Sequence, residues 1–226
     1  MSVLKIEDLT RDYGSGKGIF HVSFQVEQGE AFGFLGPNGA GKTTTIRHIM
    51  GFLKPMSGNC TINGLDCWKN SSAIQSKLGY IPGEISFFDD MTGTEFLDFV
   101  AKYRKLGFEN RKKELMDRFD LNPKGKIKKM SKGMKQKIGI VSAFMHDPEI
   151  LILDEPTSGL DPLIQSRFVQ LIAEEKKRGK TILLSSHMFE EVERTCDRIG
   201  IIRTGQLVAV DSVEALRKRH MRSYTV

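Results

Sequence analysis

One segment constrains the fold of this chain more than any other. The eight residues GPNGAGKT, Gly36 to Thr43, fit the pattern G-x-x-x-x-G-K-[ST]. A short apolar run at 31–35 precedes them, and residues 43–53 follow with helical spacing and stop before Pro55. A strand, a glycine-rich loop and a helix in this order form the setting in which backbone N–H groups surround phosphate. The segment therefore predicts a nucleoside triphosphate site in an α/β fold.

The residue types in this loop explain the chemistry that we expect there. Its glycines let the backbone approach phosphate closely, and the helix that follows offers its positive N-terminus. Lys42 is expected to reach the β- and γ-phosphates, and the Thr43 hydroxyl is expected to ligate Mg²⁺. The residues predicted to contact nucleotide are Gly36, Pro37, Asn38, Gly39, Ala40, Gly41, Lys42, Thr43 and Thr44.

Two other apolar segments end in polar residues of a kind that phosphoryl transfer uses. ILILDEP at 150–156 ends with Asp154, placed to hold Mg²⁺, and Glu155, a carboxylate able to polarise the attacking water. LLSSH at 183–187 ends with His187, placed for a γ-phosphate contact at the strand edge where open α/β sheets bind ligands. Taken alone, the acidic pair also fits a helix cap and the histidine a structural role, but the upstream phosphate loop favours catalysis.

The rest of the chain alternates between strand and helix patterns. Its ends are rich in strands, and its middle is helical, which predicts an α/β core interrupted by a helical insertion. The predicted strands are 2–9, 19–27, 31–35, 60–64, 78–82, 149–156, 180–186 and two within 197–211 joined at Thr204-Gly205. The predicted helices are 43–53, two within 92–121 separated near Gly107, 131–146, 162–178 and 189–195.

Charge is concentrated in the helical middle. Residues 102–137 hold 14 Lys or Arg against 4 Asp or Glu, a local charge of +10 in a chain whose total is +6. Such a block fits an anionic partner, either nucleic acid or membrane headgroups, and equally a solvated helix face. No apolar run approaches the roughly 18 residues that span a bilayer, and the first residues show no signal-peptide core. Three cysteines without zinc spacing are expected to be free thiols in a reducing cytoplasm.

Together these motifs resemble the ATP-binding subunits of ABC transporters over nearly the whole chain. Six matches carry the resemblance, and their order and separations agree with the family. They are Tyr13 as the adenine-stacking aromatic, Gly36–Thr43 as Walker A, Ser131–Lys135 as the signature, Ile150–Glu155 as Walker B, Ser158–Asp161 as the D-loop and His187 as the switch histidine.

The resemblance implies a fold and a dimer. The fold is α/β: a P-loop NTPase core with an antiparallel β subdomain at the N-terminus and an inserted α-helical subdomain. The ATP-binding core would comprise residues 1–84 and 149–226, and the helical subdomain residues 85–148. Two chains would pair head to tail, with ATP between Walker A of one chain and the signature of the other. The nucleotide contacts that the family adds are Tyr13, Ser131, Lys132, Gly133, Met134 and Asp161.

The resemblance also implies a function. The chain would bind ATP with Mg²⁺ and hydrolyse it, using Lys42, Glu155 and His187 catalytically and Thr43 and Asp154 as metal ligands. This would energise export of a drug, antibiotic or peptide-like substrate through partner membrane-spanning subunits. The chain would lie in the cytoplasm, peripheral on the inner face of the cell membrane, with a second ATP-binding subunit and no nucleic acid. The alternative is a soluble ABC ATPase that acts on nucleic acid or ribosomes. A single cassette and only 112 residues between Lys42 and Asp154 argue against it.

Two positions depart from the family pattern. The signature usually reads LSGGQ and here reads MSKGM, in which Lys132 would add a cation beside the γ-phosphate. This SKG form is similar to that of exporters with small permeases that handle antibiotics, peptides or other drugs. Gly83 stands where the family commonly has a Gln that touches Mg²⁺ and the attacking water, and Glu84 is a candidate substitute. Among the residues that follow, Ile85, Phe87 and Phe88 are candidates either for contact with a membrane subunit or for internal packing.

Overall fold

A computed structural model describes residues 1–88, 90–104 and 109–222, with the side chains of 218–222 left aside. The predicted helix break near Gly107 lies outside the described residues. The strands are β1 (Ser2–Asp12), β2 (Gly18–Glu27), β3 (Ala31–Leu35), β4 (Ser57–Ile62), β5 (Leu65–Asp66), β6 (Leu78–Ile81), β7 (Ile150–Asp154), β8 (Thr181–Ser186), β9 (Arg198–Arg203) and β10 (Gln206–Ser212).

Helices alternate with these strands and fill the middle of the chain. Ile127–Lys129 forms a short 3₁₀ turn before the signature segment. No helix in the described ranges is both long and apolar enough to cross a membrane. The α-helices are α1 (Lys42–Ile49), α2 (Ser71–Gln75), α3 (Gly93–Tyr103), α4 (Glu109–Arg118), α5 (Lys132–Phe144), α6 (Pro162–Lys177), α7 (Phe189–Thr195) and α8 (Val213–Arg222).

Two sheets organise the chain. The first is antiparallel, with the order β2-β1-β4-β5, and contains most of the N-terminal part. The second has the order β10-β9-β3-β8-β7-β6 and is parallel except for β10. An antiparallel N-terminal sheet beside a mostly parallel sheet with helices confirms the predicted fold class.

The central strands of the parallel sheet divide their side chains between two apolar layers. Leu151 and Leu153 of β7 face the layer that contains the helical middle, and Ile150 and Ile152 face the layer shared with the antiparallel sheet and α1. All five residues of β7 are buried, as expected for a parallel strand covered on both faces. The inserted helices therefore have no separate core, because their apolar residues join one face of the sheet.

The elements that carry sequence motifs begin and end close to where the patterns predict. Strand β3 occupies the predicted residues 31–35, and α6 begins at Pro162 with Asp161 as its N-cap. The predicted helix 43–53 is too long, because α1 ends at Ile49. Gly51 there has a φ of 68° and lies against the Cys67 carbonyl, so the chain turns before Pro55 is reached. Helices α2 and α8 and the short strand β5 were not predicted.

Candidate nucleotide-binding site

The glycine-rich loop connects β3 to α1. Gly39 and Gly41 have φ values of 79° and 111°, conformations in which a Cβ is disfavoured. Gly41 also packs so closely that a Cβ there would lie 2.7 Å from Ile19. Gly41 is the N-cap of α1 and offers no side-chain oxygen, so the first N–H groups of this helix keep their capacity for an external acceptor.

Lys42 is buried and turned back over the loop. Its Nζ donates to the carbonyls of Gly36 at 2.6 Å and Pro37 at 3.2 Å. The same ammonium lies 3.1 Å from Oε1 of Glu155, which makes an ion pair inside the site. Both groups thus have a charged partner within the chain, and phosphate oxygens would compete for the same ammonium.

Thr43 and Asp154 bring two oxygen ligands together across the sheet. The Thr43 hydroxyl donates to Oδ2 of Asp154 at 2.7 Å. Asp154 is fully buried at the end of β7, and its other oxygen, Oδ1, accepts a hydrogen bond from the Ser185 hydroxyl of β8. Ser185 thereby fixes one carboxylate oxygen and leaves the other facing Thr43.

Gly83 stands directly against this pair. A Cβ built at Gly83 would lie 2.8 Å from Oδ2 of Asp154 and 3.6 Å from the Thr43 hydroxyl oxygen. Any side chain here therefore requires Asp154 or the Gly83 backbone to move. The neighbouring Glu84 is exposed.

Glu155 follows Asp154 and has a backbone conformation that a residue with a side chain seldom adopts. Its φ is 48°, in the left-handed region. Its N–H donates to both the carbonyl and the hydroxyl of Ser185, at 3.1 and 3.2 Å. Its Oε2 lies 2.7 Å from Nδ1 of His187, while Oε1 faces Lys42. The carboxylate is thus held between the phosphate-loop lysine and the histidine that follows β8.

A second buried carboxyl, Glu191 of α7, supports the loop that carries His187. The Ser186 hydroxyl donates to Oε2 of Glu191 at 2.6 Å and accepts the N–H of Met188 at 3.0 Å. Burial raises the pKa of Glu191 above its usual range. Hydrogen bonds from Ser186 and Thr157 act in the opposite direction but do not cancel the effect of burial. Both residues that flank His187 are therefore fixed to one network.

The remaining predicted residues divide into two groups. Tyr13, half exposed, lines a cavity of about 500 Å³ together with Asn38, Gly39, Gly41, Lys42, Thr43, Thr44 and Glu155. The Arg11 guanidinium lies over the Tyr13 ring, 5.3 Å from its centre. This cavity gathers the phosphate loop, the candidate adenine contact and the candidate hydrolytic carboxylate in one place.

The second group does not line this cavity. Ser131 caps α5 by accepting the N–H of Met134 at 3.2 Å, and Lys132 donates from Nζ to the Ser158 hydroxyl at 2.8 Å. Asp161 caps α6 through the N–H of Ile164 at 3.0 Å. The signature segment thus contacts the D-loop of its own chain and lies outside the cavity that the phosphate loop lines.

Sequence reasoning missed three residues of this site. Ser185 and Glu191 hold Asp154 and the His187 loop, and Gln136 of α5 donates from Nε2 to the buried carbonyl of Pro156 at 2.7 Å. A polar residue within an apolar strand or on a buried helix face is the available signal. Ser185 in LLSSH and Gln136 in the signature helix both have this character.

Comparison with known proteins gives consistent matches. A family model described as ABC transporter matches residues 19–158. The bacitracin transport ATP-binding protein BcrA of Bacillus licheniformis is 41% identical over 224 residues, covering 98% of this chain and 73% of BcrA. The linearmycin resistance ATP-binding protein LnrL of Bacillus subtilis (strain 168) is 39% identical over 222 residues, covering 96% of this chain and 71% of LnrL.

Solved structures agree with these sequence matches. A structure described as the ATP-binding subunit of an ABC transporter has a TM-score of 0.88 and 34% identity, covering 97% of this chain and 94% of that one. The dimeric bacterial ABC transporter cassette MJ0796 has a TM-score of 0.83 over 93% of this chain and 98% of that one. Its identity is 22%, so this second likeness concerns the fold alone.

Proposed function

The chain belongs to the ATP-binding, ATP-hydrolysing subunits of ABC transporters, and from this premise we propose how its own residues bind and cleave ATP and what they energise. One observation carries the assignment of the site. The phosphate loop, the His187 loop and the Asp154–Glu155 pair follow β3, β8 and β7, which are neighbours in the parallel sheet. Contacts of 2.7 to 3.1 Å join Thr43 to Asp154, Lys42 to Glu155 and Glu155 to His187.

ATP binds with its phosphates on the loop N–H groups at the start of α1. The β- and γ-phosphate oxygens then take the Lys42 ammonium, which in this structure faces Oε1 of Glu155 at 3.1 Å. Phosphate carries more negative charge than one carboxylate, so the exchange is favourable. It also releases Glu155 from its lysine, which links ATP binding to the availability of the carboxylate.

Thr43 and Asp154 fit Mg²⁺ by the chemistry of their donors. Both offer oxygen, the ligand that this hard cation prefers, and Mg²⁺ with ATP usually takes few protein ligands because phosphates and water supply the rest. The Thr43 hydroxyl and Oδ2 of Asp154 lie 2.7 Å apart, so both oxygens could serve one ion, for which Thr43 would keep its proton and give up its hydrogen bond to Asp154. When bound, Mg²⁺ supplies positive charge at the β- and γ-phosphate oxygens.

Glu155 is the residue that activates water. Its carboxylate accepts a proton from the water that attacks the γ-phosphorus, and His187, 2.7 Å from Oε2, holds it in place and contacts the γ-phosphate. Ser185 and the Ser186–Glu191 pair are positioning residues, because they fix Asp154 and the His187 loop without facing the cavity. Tyr13 stacks on the adenine ring.

The signature residues complete the site of a second cassette. Ser131, Gly133 and Met134 lie at the N-terminus of α5, outside the cavity lined by the phosphate loop, and this helix end would offer N–H groups to a γ-phosphate that replaces the Ser131 cap. Asp161 lies on the same side, at the start of α6. Two chains paired head to tail would bring each α5 to the other chain's phosphate loop.

The membrane subunits dock on an aromatic patch formed by Phe88, Phe99 and Tyr103. These side chains are 57%, 46% and 79% exposed. The ring centre of Phe99 lies 6.0 Å from that of Phe88 and 6.4 Å from that of Tyr103. Their exposure together on one surface is typical of an interface. Phe87 and Ile85, by contrast, pack against the core, and Phe87 lies edge-on to Phe96 at 4.8 Å.

Several cations of the basic block pair with carboxylates of the chain itself, which argues against an anionic partner for these members. Arg111 pairs with Glu175, Arg118 with Glu174 and Lys112 with Asp98, contacts that fasten α4 to α6 and α3. Lys112 and Lys128 pair with Asp98 and Asp90, whereas the salt bridges of the described residues include none from Lys113, Lys124, Lys129 or Lys135. These remaining cations suit a position near anionic headgroups on the inner face of the membrane.

The transported substrate is an antibiotic or a related peptide-like compound leaving the cell. Support comes from the functions after which two relatives are named, bacitracin transport for BcrA and linearmycin resistance for LnrL, and from the SKG signature. An exporter of this class would move its substrate through partner membrane-spanning subunits, which the ATP-binding subunit would energise.

The substitution Glu155→Gln tests the assigned site. The amide fills the same space but cannot take a proton, so turnover should fall at least about 100-fold while ATP binding is retained. Size-exclusion chromatography with MgATP should then show an ATP-dependent dimer, with Lys42→Ala as the control that loses both binding and dimer. Near-normal turnover by Glu155→Gln would remove Glu155 from the hydrolytic role.

A further inference from the structure

One face of the signature helix α5 donates hydrogen bonds to the segment that follows Glu155. Lys132, its first residue, donates from Nζ to the Ser158 hydroxyl at 2.8 Å, and its methylene stem covers Gly159. Gln136, one turn later on the same face, is buried and donates to the carbonyl of Pro156 at 2.7 Å. Two donors from one helix thus hold both ends of the Pro156–Ser158 turn.

This turn determines where the Glu155 side chain points. The N–H of Ser158 donates to the Glu155 carbonyl at 3.1 Å, which closes a tight turn directly after the residue. Glu155 itself has a φ of 48°, and a non-glycine residue keeps such a conformation only when its surroundings enforce it. On one side Ser185 of β8 supplies this support, and on the other side α5 supplies it through the turn.

We propose that Lys132 and Gln136 form a brace by which the signature helix positions Glu155 of its own chain for hydrolysis. The proposal rests on the hydrolytic role of Glu155 given above. It differs from the expectation that the Lys132 ammonium sits beside the partner's γ-phosphate, because here that ammonium is bound to Ser158. If α5 meets the nucleotide of a second cassette with its N-terminus, the brace connects that nucleotide to the chain's own carboxylate.

A double-mutant cycle between Lys132 and Ser158 tests the brace. Lys132→Met keeps the stem over Gly159 and removes the donor, and Ser158→Ala removes the acceptor. Each should lower kcat about 5- to 10-fold, with KM and the Kd for fluorescent ATP within about twofold, because positioning of Glu155 and not binding is lost. The double variant should be no slower than the worse single variant. Lys132→Arg, which keeps a donor, should recover most of the rate.

Lys137→Met is the matched control. It removes a lysine from the same helix whose Nζ lies 3.5 Å from the Asp120 carbonyl and does not contact the turn. Its kcat should stay within about twofold of wild type. Gln136→Met, which leaves the Pro156 carbonyl without its donor, should reduce kcat more than Lys132→Met, because the lost partner is buried. Thermal unfolding of each variant separates loss of folding from loss of rate.

Dimers of two differently tagged chains show in which chain Lys132 acts. In one dimer, Lys132→Met and Glu155→Gln lie on the same chain, so the other chain keeps its own brace and its own Glu155. In the second dimer they lie on different chains, so the only intact Glu155 has lost its brace. The proposal predicts that the first dimer matches a wild-type/Glu155→Gln dimer and that the second is 5- to 10-fold slower, about the single-variant loss.

The reverse order of activities would overturn the proposal, because Lys132 would then serve the partner's nucleotide. Three other outcomes would overturn it as well. They are kcat losses of Lys132→Met and Ser158→Ala that multiply in the double variant, a raised KM with unchanged kcat, and wild-type kinetics of Lys132→Met. Failure of the underlying function looks different: wild-type protein would then show no Glu155-dependent ATP hydrolysis at all.

Discussion

The helices α1 and α5 both begin at a glycine-containing motif, yet their first turns are satisfied in opposite ways. At α1 the N-cap is Gly41, which has no side-chain oxygen, and Lys42 turns its ammonium toward the loop and Glu155. At α5 the Ser131 hydroxyl caps the helix, and Lys132 is bound to Ser158. The start of α1 lines a cavity, whereas the first turn of α5 is capped by a side chain of its own chain. Under the proposed function, one chain therefore contributes a phosphate loop to one site and a signature helix to a second site shared with its partner.

Ser131→Arg should have the largest effect on the α5 helix end. A bulky side chain at the α5 cap should keep this helix end from the nucleotide of the other chain and lower hydrolysis at least about 100-fold, without weakening binding of ATP to its own loop. Mixing Ser131→Arg with Lys42→Ala should restore about a quarter of wild-type activity, because half of the dimers then hold one intact composite site. ATPase rates of the separate and mixed variants measure this.

The outcome of the mixing experiment distinguishes the two halves. If the ATPase rate of the mixture does not exceed the rates of the separate variants, the signature does not work across a dimer. If Ser131→Arg alone abolishes binding of fluorescent ATP, the segment affects its own cavity. Either result would remove the contrast drawn between α1 and α5.

Sequence patterns were sufficient for the first half of the site for a physical reason. The loop lies between β3 and α1, and the residues it meets end neighbouring parallel strands, so local motifs and the ordinary rule for sheet edges locate Lys42, Asp154 and His187. The interactions of Lys132 with Ser158 and of Gln136 with Pro156 span 26 and 20 residues and depend on how α5 packs. No periodicity encodes that packing, which is why the position of the Lys132 ammonium could not be predicted.

Introducing at Gly83 the glutamine that the family commonly has there tests the assignment of Thr43 and Asp154 as metal ligands. The added Cβ would lie 2.8 Å from Oδ2 of Asp154, so Gly83→Gln should displace the carboxylate that faces Thr43. We expect the Mg²⁺ concentration for half-maximal ATPase to rise about tenfold, equivalent to about 1.4 kcal/mol. A Mg²⁺ titration of ATP hydrolysis measures it.

Glu84→Gln is the control for that titration. Its side chain is exposed, and we expect the Mg²⁺ dependence to stay as in wild type. A shift with Glu84→Gln would mean that Glu84 takes the place of the missing glutamine. Normal or increased activity of Gly83→Gln would show that Asp154 tolerates a side chain there and that the close approach of Gly83 is incidental.

The adjacent residues Phe87 and Phe88 differ in whether their side chains are packed or exposed. The sequence suggests that at least one of them is exposed but cannot tell which, because the choice depends on contacts with α3. Phe87 packs edge-on to Phe96 against the core, and Phe88 contacts the exposed ring of Phe99. Phe87 therefore packs within the chain, whereas more than half of the Phe88 side chain stays exposed.

Replacing each phenylalanine with Ser should separate the two roles. Phe87→Ser should lower the free energy of unfolding by about 2 to 3 kcal/mol, measured by denaturant titration, because it removes a packed ring. Phe88→Ser should leave unfolding and the ATPase rate of the isolated subunit near wild type, since its ring is 57% exposed and lies outside the cavity. The same variant should bind its membrane subunits at least about tenfold more weakly, because docking would bury that ring. Co-purification from membranes with Phe88→Ser equal to wild type would place docking elsewhere, and equal loss of stability in both variants would make Phe88 a core residue.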